Sequence, residues 1–139
     1  MPPLTRWFIK SALVFLVAAL VVRLLQTANS LTAGNAYINA LGPVYFHMFL
    51  VGWVTQLVFG IVFWMFPKYS LDHPRRSERL GWWIFWLLNI GLGLRVIAEP
   101  LNSIHPATGW GWLLVLSAVL QWLAGMGFVA NSWGRVKAK

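Results

Sequence analysis

Four long apolar runs alternate along the chain with shorter polar stretches. The runs cover about residues 7–26, 43–66, 80–98 and 109–133. An α-helix rises about 1.5 Å per residue, so about 20 apolar residues cross a bilayer core of about 30 Å. Each run reaches roughly that length. The pattern therefore predicts an all-α fold, an integral membrane four-helix bundle that forms a single transmembrane domain.

The ends of the runs carry further signals. The first run follows the basic Arg6, as a signal peptide would, but it is longer than a usual signal core and lacks a clean small-residue cleavage site. We therefore expect a retained helix. The polar connection 27–42 is long for a helix connection, and its apolar positions between 36 and 40 allow a short surface helix. Pro100 disfavours helix at the residue before it, so we expect the third helix to end there.

The composition excludes several classes of protein. Hydrophobic residues make up 59% of the chain and charged residues 10%, whereas about 25% of the residues of soluble domains are charged. There is no cysteine, which excludes disulfides, thiolate metal sites and cysteine nucleophiles. The sequence shows neither an acidic pair nor a glycine-rich phosphate loop, so no motif for hydrolysis or group transfer is visible. The lipid bilayer is the expected surrounding, and an enzymatic role is not predicted from these residues.

The placement of charge predicts the orientation. Nine basic residues lie at the N-terminal end, in the central loop and in the tail: Arg6, Lys10, Lys68, Arg75, Arg76, Arg79, Arg135, Lys137 and Lys139. The connections 27–42 and 101–108 contain no lysine or arginine. Short loops with basic residues stay in the cytoplasm. We therefore expect both termini to be cytoplasmic, in a multi-pass protein of the cytoplasmic (inner) membrane. This explains most of the net charge of +8 without a nucleic-acid partner.

Three of the predicted helices carry an ionisable side chain near their outer ends. These are Arg23, His47 and Arg95, and Glu99 follows Arg95 by one helical turn. In one interpretation Arg95 pairs with Glu99 and Arg23 extends to the lipid headgroups. In the other, the two arginines hold anionic groups of a bound cofactor, such as heme propionates, because guanidinium groups match carboxylates in geometry.

His47 is the strongest single candidate. It lies about one turn inside the second apolar run, where an ionisable residue marks a candidate functional site. A neutral imidazole is also the commonest protein ligand of metals. The structural alternative is an imidazole that donates to a backbone carbonyl or a tyrosine. His105 and His73 lie in predicted loops, on opposite sides of the membrane, so His73 cannot share a metal with His47.

The run His47-Met-Phe-Leu-Val-Gly-Trp-Val-Thr-Gln-Leu-Val-Phe-Gly-Ile-Val-Phe-Trp-Met-Phe-Pro67 resembles a known helix. It is similar to the second helix of heme–copper oxidase subunit I, of the related nitric oxide reductases, and of small four-helix membrane proteins described as oxidase subunit I-like. The resemblance implies that His47 is an axial ligand of the iron of heme b.

The chain departs from that family in ways that limit the expected activity. The histidines of a copper centre and of a second heme are missing, so oxygen reduction by this chain alone is not expected. A second axial ligand would come from His105 or from His47 of a second copy, since two-fold dimers are the commonest oligomers. A five-coordinate heme is the third possibility.

The sequence thus predicts a membrane protein that binds heme b through His47, in the outer half of the bilayer, with Arg95, Arg23 and His105 as further candidate cofactor-binding residues. Its role would be electron transfer or gas binding, as a homodimer or in a larger membrane complex. One alternative is a cofactor-free accessory subunit of a respiratory or photosynthetic complex. The other is a chlorophyll-binding subunit with His47 on the magnesium.

Two ladders of small and amide residues predict how the helices pack. Gly52, Gln56 and Gly60 are spaced by four residues in the second helix, and Ser117, Gln121 and Gly125 are spaced in the same way in the fourth. Residues at this spacing share one helix face, and small residues let membrane helices approach. We therefore expect these two helices to meet along the ladders, with Gln56 bonded near Gln121. At about 100° per residue, His47 should point away from Gln56.

Overall fold

A computed structural model describes residues 1–31, 34–71, 76–106 and 109–136. Within these ranges every regular element is a helix: α1 Pro3–Asn29, α2 Ala36–Asn39, α3 Gly42–His47, a π-helix Met48–Thr55, α4 Gln56–Met65, α5 Glu78–Ile104 and α6 Trp110–Trp133. Residues 42–65, from α3 through α4, are helical without a break and are called the second span below. Four helical stretches of this part of the chain are long and apolar enough to cross a membrane. The expected all-α, multi-pass membrane architecture is confirmed.

The third spanning helix differs from its expected length. α5 continues through Pro100 to Ile104, so the prediction that Pro100 ends this helix is wrong. Proline removes one N–H donor from a helix, and membrane helices tolerate this loss where their surroundings satisfy the freed carbonyl. The backbone N–H of His105 donates to the carbonyl of Leu101 at 2.8 Å, so the helical bonding resumes directly after the proline.

The long connection after α1 is held by asparagine side chains. The amide of Asn29 accepts from the backbone N–H of Asn35 at 2.8 Å and donates to the side chain of Asn39 at 3.0 Å. Asn35 in turn caps α2 by accepting from the N–H of Tyr37 at 2.9 Å, which is the usual role of asparagine before a helix. The expected short surface helix is confirmed, and the connection is tied back to the end of α1.

A π-helix interrupts the second span directly after His47. Its i→i+5 bonding makes a wider turn than an α-helix, and the hydroxyl of Thr55 donates to the carbonyl of Leu50, five residues back, at 2.9 Å. Each residue of a wider turn rotates less about the axis. The α-helical rotation that placed His47 opposite Gln56 therefore does not apply between these residues.

The glycines of the second span face α1 and α5. A Cβ atom added to Gly52 would lie 2.7 Å from Cγ of Phe15 and 2.9 Å from Leu92. One added to Gly60 would lie 2.9 Å from Cβ of Phe8. The ladder of α6 instead faces α5, where the hydroxyl of Ser117 donates to the carbonyl of Gly91 at 2.6 Å. The predicted seam between the second and fourth helices is therefore wrong, because each ladder admits a different neighbour.

The expected amide pair of that seam is also absent. Gln56 is fully buried, and neither of its amide atoms has a hydrogen-bond partner within the part of the chain that the structure describes. Gln121 donates instead to the hydroxyl of Ser117 at 2.9 Å. The second span does meet α6 elsewhere, where the rings of Phe59 and Phe128 stack with centroids 3.7 Å apart.

Aromatic rings build the core at one end of the bundle. Phe8 of α1 stacks on Phe63 at 5.7 Å and meets the edge of Phe85 at 5.2 Å. Such ring pairs stabilise a contact beyond the area that they bury. These rings come from the start of α1, the end of the second span and the start of α5, so they hold three elements together. We call this end of the bundle, which also carries Arg6 and Arg135, the basic end.

Arg135 closes the basic end. It follows α6, is 1% exposed, and donates to the carbonyls of Phe63 at 3.3 Å, Phe66 at 2.8 Å and Pro67 at 3.1 Å. A cation that binds the last carbonyls of a helix also complements its dipole. The sequence analysis counted Arg135 only among the basic residues of the tail, whereas the structure gives it a capping role at the end of the second span.

We expect Arg135→Gln to lower the free energy of unfolding by about 2 kcal/mol, since hydrogen bonds from charged groups contribute about 1.5–3 kcal/mol. Arg6→Gln is the matched control, because Arg6 is exposed and exposed substitutions usually stay within about 0.5 kcal/mol. Reversible unfolding in mixed detergent micelles measures both. Equal stabilities of the two variants would show that the Arg135 cap has no energetic role.

Candidate functional site

His47 ends α3 at the opposite end of the second span from Arg135. Its side chain is 28% exposed. The ring nitrogen Nδ1 lies 2.8 Å from the carbonyl oxygen of Pro43, one turn earlier. A carbonyl can only accept, so Nδ1 donates and carries the ring proton. In the neutral ring, Nε2 then bears the lone pair that a metal requires.

The backbone bond of His47 is compatible with both interpretations of this residue. The structural alternative expected a donation to a carbonyl, and that donation is present. Histidines that bind metals also usually donate their other N–H to a carbonyl or carboxylate, which orients the ring. The observed bond thus leaves Nε2 available for a ligand.

Glu99 joins His47 to Arg95. Its oxygen Oε2 lies 3.4 Å from Nδ1 of His47, and its Oε1 lies 3.6 Å from Nε of Arg95. The carboxylate is 14% exposed. The pair of Arg95 and Glu99 follows from their spacing along one helix, whereas the approach of Glu99 to His47 crosses between two helices. Sequence reasoning missed that contact, and the matched depth of the two residues was the only signal for it.

This cluster of His47, Glu99 and Arg95 retains unused hydrogen-bonding capacity. Oε2 of Glu99 and Nε of Arg95 are buried atoms without a hydrogen-bond partner in the described part of the chain. Buried polar atoms are usually bonded, and an exception calls for an explanation. The cluster is therefore a site where a further group or a small movement could complete the bonding.

Arg23 and His105 lie at the same end of the bundle in different settings. The guanidinium carbon of Arg23 lies 5.7 Å from the ring centroid of Tyr45, two residues before His47. This distance is typical of a cation–π contact. His105 is exposed and follows the last turn of α5, about 9 Å beyond Glu99 along the axis. His73 lies outside the described residues.

The described residues offer a single histidine at this site rather than a cluster of metal ligands. Among the described residues, no group of three or more His, Cys, Asp or Glu side chains could hold a metal ion. A porphyrin supplies the equatorial nitrogens itself, and a single histidine suffices as the proximal ligand of a heme iron. His47, with Nδ1 anchored, meets that requirement.

The fold and this site define a multi-pass helical membrane protein with one histidine-bearing span. Over 96 residues the chain is 32% identical to quinol oxidase subunit 1 of Bacillus subtilis and of Bacillus spizizenii. It is 34% identical, also over 96 residues, to the probable quinol oxidase subunit 1 of Staphylococcus haemolyticus. These matches cover 61% of this chain and 14% of each relative.

The chain therefore spans only a small part of the length of the curated relatives that it matches. No family model matches it, and no solved structure does. The similarity supports a relationship of the oxidase subunit I type. The role of His47 as a heme ligand stays a prediction.

Proposed function

We propose that the chain is a membrane protein that binds heme b, with Nε2 of His47 as an axial ligand. The observation that carries the proposal is the anchoring of Nδ1 by the carbonyl of Pro43 at 2.8 Å, which selects the tautomer that binds metal through Nε2. The partial similarity to quinol oxidase subunit 1 supports a role related to membrane oxidases.

The proposed role is electron transfer or gas binding. A bound heme would supply reversible one-electron chemistry and an open or exchangeable axial position. Oxygen reduction by this chain alone is not proposed, because the resemblance implies further histidine ligands and the sequence has only His73 and His105 besides His47. A sixth ligand would come from His105 or from His47 of a second copy, and without one the iron would stay five-coordinate.

We also propose that the basic end lies in the cytoplasm, which places His47 in the outer half of the inner membrane. Residues near the start and near the end of the chain lie at the same end of the bundle, so they share one side of the membrane. Leu4 packs in the same apolar cluster as Phe63, and Arg135 binds the carbonyl of Phe63. The positive-inside rule then assigns this side to the cytoplasm.

Absorption spectroscopy of the purified protein tests the proposal. A Soret band with α and β bands that sharpen on reduction would establish heme. A long-wavelength band would establish chlorophyll instead. The absence of any such band, in protein purified from its own membrane, would favour the accessory subunit without a cofactor.

Arg95 and Arg23 are the proposed partners of the heme propionates. We expect Arg95→Leu to weaken heme retention about 10- to 100-fold, the usual range for residues just outside the ligand shell. Transfer of heme to apomyoglobin measures the retention.

The control for Arg95 is the double variant Arg95→Leu, Glu99→Leu. If Arg95 serves only to neutralise Glu99, the double variant should retain heme as the wild type does. If Arg95 holds a propionate, the double variant should lose heme as readily as Arg95→Leu. Unchanged retention in both variants would refute the propionate role.

A further inference from the structure

The carboxylate of Glu99 approaches the nitrogen of His47 that the proposed heme does not use. Oε2 lies 3.4 Å from Nδ1 and has no hydrogen-bond partner among the described residues. The Pro43 carbonyl lies 2.8 Å from the same nitrogen. Nδ1 thus donates to the Pro43 carbonyl, and the Glu99 carboxylate lies beside that bond without accepting from it.

The surroundings of Nδ1 have a defined effect on the other nitrogen. The hydrogen bond to the Pro43 carbonyl holds the proton on Nδ1, so the lone pair stays on Nε2. A carboxylate beside the N–H of a ligating histidine also raises the basicity of the ligand. Because a more basic ligand and a nearby negative charge both stabilise ferric iron over ferrous iron, they lower the reduction potential of a heme.

Arg95 acts on the same carboxylate from the other side. Its Nε lies 3.6 Å from Oε1 of Glu99, and both side chains are mostly buried, with 22% and 14% exposed. Partial burial reduces screening by solvent, so the two opposite charges act on their surroundings more strongly than an exposed pair would. The positive charge of Arg95 offsets part of the field of Glu99.

We propose that Glu99 is a positioning residue that orients His47 and lowers the potential of the heme, and that Arg95 limits this effect. The inference rests on the proposed heme site. Glu99 would act through the imidazole, without contact to the iron, and Arg95 would act through Glu99. The chain thereby sets the potential with one carboxylate and one guanidinium from a neighbouring helix.

Potentiometric titration of the heme-loaded protein tests this inference. We expect Glu99→Gln, which removes the charge and nearly keeps the shape, to raise the midpoint potential. Arg95→Gln should lower it. The double variant should return towards the wild-type value, because the two opposite changes cancel. Glu99→Asp keeps the charge and should restore most of the wild-type potential.

Glu78→Gln is the matched control. Glu78 begins the same helix, 21 residues and about 32 Å from Glu99 along the axis, so its removal should leave the potential unchanged. If Glu99 served only to stabilise the fold, Glu99→Gln would lower the unfolding temperature without moving the potential. That result would overturn the inference.

The outcomes separate this inference from the proposed function. Heme bound through His47, with the same potential in wild type and Glu99→Gln, would refute the role of Glu99 and leave the heme proposal intact. A wild-type protein without heme, or a His47→Ala variant with an unchanged heme spectrum, would refute the proposed function and the role of Glu99 with it.

Discussion

His47→Ala should abolish heme binding. The substitution removes the ring whose Nδ1 is anchored by Pro43 at 2.8 Å. Among the described residues, no other histidine lies within a spanning helix, since His105 follows the end of α5. Without an iron ligand, the heme would be held only at its periphery, by the proposed contacts of Arg95 and Arg23 with its propionates. The Soret absorbance per protein of the variant, purified in detergent, measures the effect.

Two further samples separate ligand loss from misfolding. His73→Ala should keep the wild-type spectrum. Free imidazole added to His47→Ala should restore part of the Soret band, because it can occupy the space that the side chain leaves and supply the missing nitrogen. A folded His47→Ala variant that retains heme with an unchanged spectrum would exclude His47 as the ligand.

Gly52→Ala should destabilise the bundle by about 3 kcal/mol, at the upper end of the usual effect of overpacking. The added Cβ would lie 2.7 Å from Cγ and 2.8 Å from Cβ of Phe15, and 2.9 Å from Cδ2 of Leu92. A different rotamer of Phe15 cannot relieve the contact with its Cβ, because the backbone fixes that atom. The whole of α1 must move instead, which separates the packed pair of α1 and the second span.

Gly125→Ala is the control for this prediction. Beyond its own turn of helix, no atom of the described residues lies within 4 Å of the Cβ that it would add, and alanine favours a helix over glycine by up to about 1 kcal/mol. We expect this variant to be neutral or slightly stabilised. Reversible unfolding in mixed micelles compares the two variants. Equal stability of Gly52→Ala and Gly125→Ala would show that the contact between Gly52 and Phe15 does not restrain the helices.

Local features of the candidate site were accessible from the sequence. His47 stands out because an imidazole in an apolar run is uncommon and costly. The pairing of Arg95 with Glu99 follows from the geometry of a single helix, in which residues four apart are neighbours. The structure places Nε of Arg95 3.6 Å from Oε1 of Glu99. The contact of Glu99 with His47 and the cap that Arg135 forms on the second span could not be predicted in this way, because they depend on how separate helices pack.

The sequence by itself determined the number of spans, the all-α class and the position of the histidine, because the bilayer requires about 20 apolar residues for each crossing. Only the tertiary structure decided which helices touch. Lipid-facing and protein-facing positions of a membrane helix are both apolar, so their pattern does not identify the neighbour. The glycines of the second span indicated a close contact, but the shapes of Phe8 and Phe15 made α1 the partner.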